Sequence, residues 1–437
     1  MIHKGFKILL AAMILSVGGV SAQEKVTLSL NEALEKAKTS NFEIKISQAD
    51  YQSAKADYRQ TNALILPTVR IEHLATATNN PLASFGYKLQ QEIVQQADFN
   101  PASLNDPDNI ENFQTSVILE QPIINVDGWH GRKAASSKME ALKYQQLRTQ
   151  EHIELQVKSA YFGLQLADAQ NKFLSKVVET VQRNYNLISN YYEQGLVKKD
   201  DLLEMEVRLL DAQSKKKSAE ALRNRANNGL TYLLGMAINA QIENSDTLSI
   251  PLEDWAKAKL ELGKERNDIQ AFQNKVTAYE QMLKSAKASY LPRLNAFGAY
   301  NLNDDKLLGT NAKSWMVGAK LSLNVFDGYK TAGKVQKMKA ELHKQNLELE
   351  RYMEQQQREL EQAQLQLNVA KANFQSAEKA KESAGEAYRI KQNRYKEGLV
   401  KTTDLINAET AWSNKNLAFL NALYQYRIAF EYLTFLK

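Results

Sequence analysis

The residues that could carry chemistry are the histidines and the carboxylates, and their spacing argues against a catalytic site. The five histidines, at positions 3, 73, 130, 152 and 343, show none of the spacings typical of metal ligands. The chain contains no cysteine, no glycine-rich phosphate loop and no nucleophile elbow. Most carboxylates fall on the flanks of helical repeats, where solvated or salt-bridged side chains are expected. We therefore predict a protein that is not an enzyme and that has no metal ion or cofactor.

Two acidic motifs stand apart because they occupy matched positions. Residues 190–202 match residues 393–405 at a constant offset of 203, and both segments contain Tyr-x-x-Gly followed by Asp-Leu. Gly195 and Gly398 are predicted to end a helix in the left-handed conformation. Asp201 and Asp404 are predicted to begin the next helix and to stabilise its N-terminus. The chain is therefore an internal duplication, and each half ends in a helical hairpin.

Two proline-free stretches must supply the helices that carry these motifs. Only seven prolines are present, and none lies in 123–250 or 293–437. Apolar residues recur every seven positions in both stretches, which predicts coiled-coil packing. The first series includes Ile153, Ala160, Ala167 and Leu174, and the second includes Leu360, Leu367 and Phe374. We predict long helices over 130–193 and 331–396, each roughly 95 to 100 Å long at about 1.5 Å per residue. Return helices are predicted over 199–234 and 402–436.

In two other segments the apolar residues recur every second position instead of every seventh. This alternation predicts strand hairpins over 66–125 and 292–326. The strands are predicted at 69–78 and 115–124 in the first half, and at 293–302 and 315–326 in the second. Strands of about 9 to 11 residues with one apolar face are typical of membrane barrels, and aromatic residues often border them. Trp129, Trp315, Phe326 and Tyr329 are the candidates for such a border. A soluble hairpin sheet is the alternative, and residues 79–112 are predicted to be a loop.

The N-terminus indicates the compartment. Residues 1–22 combine a basic head, a short apolar run and small residues before Ala22, which is typical of a secretory signal peptide. Its removal lowers the formal net charge from +6 to +4 by the loss of Lys4 and Lys7. The charges are mixed along the chain, so no nucleic-acid partner is expected. The remaining sequence contains no apolar run long enough for a transmembrane helix, so any insertion into a membrane must use strands.

The strand count then predicts the oligomer. Each chain offers four strands, whereas closed outer-membrane barrels begin at about 8, and an open edge in lipid leaves backbone groups unpaired. Three copies would supply twelve strands around a threefold axis. The predicted fold is therefore mainly α with a small β part, with internally duplicated long helical hairpins and with four strands per chain that contribute to a trimeric 12-stranded transmembrane β-barrel.

The order of these elements resembles the TolC family of outer-membrane efflux channels, also called outer membrane factors. Both halves contain helix, Leu-Pro, strand pair, Asp-Gly, long helix, Tyr-x-x-Gly turn and return helix. The matched pairs are Leu66-Pro67 with Leu291-Pro292, and Asp127-Gly128 with Asp327-Gly328. The resemblance covers nearly the whole mature chain, from the opening Leu28–Leu34 onward. It implies a homotrimer in the outer membrane, in which the long hairpins form an α-barrel that extends across the periplasm. It also implies that the trimer works with a periplasmic adaptor protein and an inner-membrane pump of RND, ABC or MFS type.

The same resemblance assigns roles to the hairpin tips. It places Asp404, Asn407, Asp201 and Glu204 at the periplasmic entrance of the pore, although Asn407 departs from the second acidic ring found in the family. Tyr395 and Asp201 are predicted to form a latch between the two hairpins. The adaptor is expected to dock on the tips, which are Gly195, Leu196, Val197, Gly398, Leu399 and Val400.

Two other functions remain as alternatives. One is a periplasmic coiled-coil scaffold or adaptor without a pore, and the other is a degradative enzyme on a helical frame. The repeats are predicted at 23–235 and 266–437, with a linker at 236–265 to which no role is assigned. Drugs, metal cations, detergents and secreted polypeptides remain open as the transported substrate.

Overall fold

The computed structural model describes residues 25–250, 262–263 and 265–437. The predicted signal peptide at 1–22 and the part of the linker at 251–261 lie outside the described residues. The chain divides into two compact units. One unit contains Met1–Ser47, Gln146–Lys264 and Glu354–Lys437, and the other contains Gln48–Gln145 and Glu265–Met353.

The described residues are mainly helical with a small β part, which confirms the predicted fold class. The α-helices are α1 Leu30–Ser40, α2 Phe42–Gln60, α3 Pro81–Gln90, α4 Pro101–Asn105, α5 Val126–Glu193, α6 Lys199–Leu233, α7 Asn267–Ala288, α8 Lys330–Lys396 and α9 Thr402–Leu436. The strands are β1 Lys25–Leu28, β2 Thr68–Thr78, β3 Ile110–Ile124, β4 Gln241–Asn244, β5 Arg293–Asp304 and β6 Ala312–Ser322. None of the helices within the described ranges has an apolar stretch long enough to cross a membrane.

The long helix α5 begins at Val126, four residues before the predicted start, because Asn125 caps it. The side chain of Asn125 accepts a hydrogen bond from Gly128 N at 3.2 Å, and its carbonyl accepts one from Trp129 N at 2.9 Å. Trp129 therefore lies in the first turn of α5. Asp127 is not the cap, since its carboxylate binds Arg293. The matched Asp327 does contribute to the start of its helix, because its Oδ2 accepts the Thr331 N–H at 3.0 Å at the beginning of α8.

The segment predicted as a loop at 79–112 contains helical structure. Pro81 and Pro101 each occupy the first turn of a short helix, where the missing N–H costs nothing. Asn80 and Asn100 cap these helices by accepting hydrogen bonds from Ala83 N at 3.1 Å and Ala102 N at 3.0 Å. The prediction was wrong because these prolines start helices instead of breaking them. Strand β3 also begins earlier than predicted, at Ile110.

The last strand ends at Ser322 instead of extending to Phe326. Its neighbour β5 begins at Arg293, directly after Pro292, and Arg293 is the register partner of Ser322. No ladder partner is therefore available beyond that point. Phe326 and Tyr329 lie between β6 and α8, with their rings in edge contact at 5.7 Å.

Strands β2, β3, β5 and β6 form one antiparallel sheet in that order. Successive side chains of a strand point to opposite faces, so the register sorts all four strands into two faces. Val117, for example, shares a face with Ile71 and Tyr300, which are its register partners on the two neighbouring strands. Separately, β1 and β4 form a short parallel pair.

The core of the first unit follows the heptad positions predicted from the sequence. Ile153, Leu164, Leu360 and Leu367 are all buried, whereas Ala160 in the same pattern is only partly buried. A second cluster, which includes Met205 and Leu405, packs close to the hairpin tips. These contacts hold the start of each return helix in place.

Candidate functional site

The two hairpin tips have the same backbone geometry. Gly195 and Gly398 have φ values of 72° and 70°, in the left-handed region that glycine adopts without steric cost. In each case the following leucine N–H returns to the helix. Leu196 N bonds Tyr191 O at 2.8 Å, and Leu399 N bonds Arg394 O at 2.9 Å. The glycine spacing in the sequence therefore predicted both helix ends.

The tips of the two repeats lie side by side around a cleft of about 890 Å³. Val197 and Val400 line its apolar part, and Asp201 and Glu204 line its polar part. The structure thus brings five of the six predicted tip residues, all but Leu399, and two of the predicted entrance acids into the lining of one cleft. Leu196 and Leu399 are each 67% exposed, so each tip presents an apolar side chain to solvent.

The entrance acids have different local partners. Asp201 Oδ2 accepts the Lys198 N–H at 3.3 Å, as part of a capping box at the start of α6. Asp404 is about half exposed, and its Oδ1 lies 3.6 Å from Lys391 Nζ on the preceding helix. Glu204 and Asn407 line a second groove of about 620 Å³ between α6 and α9. Matched positions of the two repeats therefore face the same groove.

The predicted latch between Tyr395 and Asp201 is not formed among the described residues. The hydroxyl of Tyr395 pairs instead with Thr402 Oγ1 at 3.3 Å, within its own hairpin. The carboxylate of Asp201 accepts a hydrogen bond from the backbone N–H of Lys198 instead. Burial raises the pKa of Tyr395, and the negative charge of Asp201 adds to this shift, so the two groups are near each other without a hydrogen bond.

The sheet has one apolar face whose large side chains are exposed. They are Val69, Ile71, Val117, Leu119, Tyr300, Trp315, Val317 and Leu321. The opposite face carries charged residues along its length: Arg70, Glu72, Glu120, Arg293 and Lys320. Arg70 pairs there with Glu72 at 3.2 Å and with Glu120 at 3.6 Å. An exposed apolar face of this extent requires a partner or a lipid environment.

The sequence model of a family of outer membrane efflux proteins matches residues 33–236 and 260–436, which is most of the chain. The chain belongs to the outer membrane efflux protein family. It is therefore an outer-membrane channel protein for efflux, and the enzyme and scaffold alternatives are set aside. No curated protein compared with the chain gives a significant match.

Solved structures show that this efflux protein has the fold of outer-membrane channels. It is similar to a membrane protein from Pseudomonas aeruginosa, with 19% identity, a TM-score of 0.79 and coverage of 93% of each chain. It is also similar to the Campylobacter jejuni outer membrane channel CmeC, with 17% identity and a TM-score of 0.76 over 93% of this chain and 85% of that one. The Vibrio cholerae outer membrane protein VceC gives 18% identity and a TM-score of 0.77 over 93% and 95%.

The sequence analysis missed one charged pair of the efflux protein. Arg208 on α6 and Glu409 on α9 form an ion pair in the interior close to the tips, with Arg208 Nε 2.7 Å from Glu409 Oε2. Burial raises the pKa of Glu409, and the guanidinium of Arg208 opposes that shift. The sequence did contain a signal for this pair, because both charged residues fall on the apolar faces of their helices, close to Met205 and Leu405.

The four predicted interface aromatics of the efflux protein are all exposed, with Trp129 at 42% and the others above 70%. Trp315 lies near the loop end of the sheet, whereas Trp129, Phe326 and Tyr329 lie where the long helices begin. The aromatic residues therefore border both ends of the strands. Within the described ranges, no group of His, Asp and Glu residues is placed to hold a metal ion.

Proposed function

We propose that three copies of this efflux protein form the exit duct of a tripartite efflux or secretion system. The duct passes small molecules or polypeptides from an inner-membrane pump, of RND, ABC or MFS type, across the periplasm and the outer membrane. A periplasmic adaptor joins the duct to the pump. Residues 1–22 direct the export of the chain as a cleaved signal peptide.

The observation that carries this proposal is the four-stranded sheet with its exposed apolar face. Within the described residues β2 and β6 are its edge strands. In lipid each unpaired backbone group costs several kcal/mol, so both edges must find partners. Three copies joined edge to edge supply twelve strands, with the apolar face toward lipid and the charged face toward the lumen. Trp129, Trp315, Phe326 and Tyr329 then lie at the two membrane interfaces.

The hairpin tips form the periplasmic entrance in this assembly. Asp404 and Asp201, with Glu204 and Asn407, face the axis from each chain. Three carboxylates at each of the acidic positions, which exclude Asn407, favour cations and oppose anions. Lys391, at 3.6 Å from Asp404, weakens this preference by partial neutralisation.

The exposed leucines of the tips are the docking points for the adaptor. An apolar side chain at a solvent-exposed turn gains free energy only when a partner covers it. The docking surface comprises Gly195, Leu196, Val197, Gly398, Leu399 and Val400. Replacing Leu196 and Leu399 together by Ser should abolish efflux in cells while the trimer stays intact. The matched control is Leu307→Ser, which changes a leucine that is equally exposed, at 67%, in the loop between β5 and β6.

The proposal is tested by extraction and by electrical recording. The protein should resist extraction of membranes by salt, dissolve in detergent as a trimer and give discrete conductance steps in a planar lipid bilayer. A protein that salt releases, or a folded trimer without conductance, would contradict the proposed function.

A further inference from the structure

The hydrogen bonds of a buried glutamine attach helix α3 to the sheet. Gln91, directly after the helix, is 3% exposed, and its Nε2 donates to Glu111 O at 2.7 Å and to Asn112 Oδ1 at 2.9 Å. A third, longer contact reaches Asp304 O at 3.4 Å. One side chain therefore joins the helix end to both β3 and β5.

The register shows on which face this attachment lies. Asn112 donates from Nδ2 to Asn303 Oδ1 at 3.3 Å, and both amides are almost completely buried. They share a face with Ser116 and Asn301, which are register partners and are themselves hydrogen-bonded at 2.8 Å. This is the face that carries Arg70, Glu120 and Lys320. Helix α3 is thus pinned to the charged face, at the strand ends opposite the long helices.

The segment that follows α3 in the sequence packs against that helix. Lys88 forms an ion pair with Asp98 at 2.7 Å, and the rings of Phe85 and Phe99 meet edge to face at 5.6 Å. Ser84 is also buried and donates to Thr78 O at 3.1 Å. Helix α3 packs against both β3 and β6. It therefore crosses the end of the sheet instead of projecting away from it.

We propose that residues 81–105 form a constriction at the outer mouth of the channel, held in place by Gln91. The inference rests on the proposed trimeric barrel, in which the charged face lines the lumen. Twelve strands about 4.8 Å apart and tilted by about 40° make a barrel roughly 24 Å across. Three helices of about 10 Å diameter would occupy most of that width. The segment thus limits the size of what leaves or enters through the outer end.

The absence of cysteine from the sequence makes a direct test possible. Ser314→Cys places a thiol on the lumen face of β6, below the constriction, and Leu307→Cys places one in the exposed β5–β6 loop. Intact cells are treated from outside with a small maleimide and with a bulky polyethylene-glycol maleimide. The small reagent should label both sites, whereas the bulky reagent should label Leu307→Cys about tenfold faster than Ser314→Cys.

Two changes should remove the protection of Ser314→Cys. Gln91→Ala deletes the two short hydrogen bonds and the longer contact of Nε2, and we expect labelling by the bulky reagent to rise about tenfold. The matched control is Gln90→Ala, which alters the exposed neighbour. A second variant replaces residues 79–109 by Asn-Gly, since Thr78 and Ile110 are register partners that a two-residue turn can join. This variant tests the proposal even if Gln91→Ala fails to fold.

The outcomes separate this inference from the proposed function. Equal labelling of Ser314→Cys and Leu307→Cys by the bulky reagent, or no gain on shortening the segment, would overturn the constriction alone. If Leu307→Cys is not labelled from outside intact cells, the outer-membrane duct itself is wrong, and the constriction is overturned with it.

Discussion

Arg208 and Glu409 form a buried ion pair that joins the return helices of the two repeats, with Nε donating to Oε2 at 2.7 Å. Their side chains are only 7% and 2% exposed. The second carboxylate oxygen of Glu409 is buried and has no hydrogen-bond partner in the part of the chain that the structure describes. This pair is a polar link between the hairpins near the tips, where the predicted contact of Tyr395 with Asp201 is not formed.

The ion pair predicts an asymmetric response to substitution. Glu409→Ala should destabilise the protein by about 3 to 5 kcal/mol, because it leaves the guanidinium of Arg208 buried and unpaired. Replacing both residues, as Arg208→Met with Glu409→Leu, should be neutral or stabilising by about 1 to 4 kcal/mol. Thermal unfolding of the purified protein measures both changes. Glu206→Ala, at the matched position of the first repeat, is exposed and should change little; an equal loss there would contradict the prediction.

Replacement of glycine by alanine should have opposite effects at Gly398, which has a positive φ, and at Gly229, which lies inside a helix. Gly398→Ala should cost about 1 to 2 kcal/mol, since a Cβ is strained in the left-handed conformation even with open space around it. Gly229→Ala, inside α6, should stabilise by about 0.5 to 1 kcal/mol through its helix propensity. Melting temperatures of the two variants should therefore move in opposite directions. If both variants lose stability, steric crowding of the added methyl group, and not the φ value of the glycine, determines the loss.

The contact of Asp404 with Lys391 predicts two opposite changes in ion selectivity. Asp404→Asn should lower the preference for cations, and Lys391→Gln should raise it by freeing the carboxylate. A carboxylate about 4 Å from an ion in water contributes about 1 kcal/mol, so each change in the permeability ratio should be about fivefold. Reversal potentials across a KCl gradient measure the ratio. Lys379→Gln, on the same helix and paired with Glu382, serves as the control and should leave selectivity unchanged.

The alternation of the sheet predicts that two adjacent residues respond differently to the same charge. Val317 lies on the apolar face and Met316 on the charged face, and each is more than half exposed in the single chain. Val317→Lys should prevent stable insertion, since a lysine facing lipid costs about 2 to 4 kcal/mol near the midplane. Met316→Lys should still insert, because in the proposed trimeric barrel that side chain faces the lumen. The yield of trimer in outer-membrane fractions compares them, and equal yields would argue against a lipid-facing sheet.

The features that depend on neighbours along the chain were predictable. The heptads, the alternation of the strands and the turns at Gly195 and Gly398 arise from interactions within a few residues, which spacing in a sequence records. The matched turns also showed the duplication. Errors arose where a local signal has two meanings. Pro81 and Pro101 were interpreted as loop residues, although proline also occupies the first turn of a helix.

What only the tertiary structure decided is which distant groups meet. Arg208 and Glu409 are separated by 201 positions, and the buried contact of Gln91 with Asp304 spans 213. Each polar group has many possible partners, and only packing selects one of them and removes the water that would otherwise compete. The sequence by itself determined the repeats, the helices and the strand periods of an efflux channel, because these depend on local hydrogen bonds and on the burial of one face. The polar contacts near the tips and the helix pinned to the charged face of the sheet were decided by tertiary structure, because they depend on long-range proximity and desolvation.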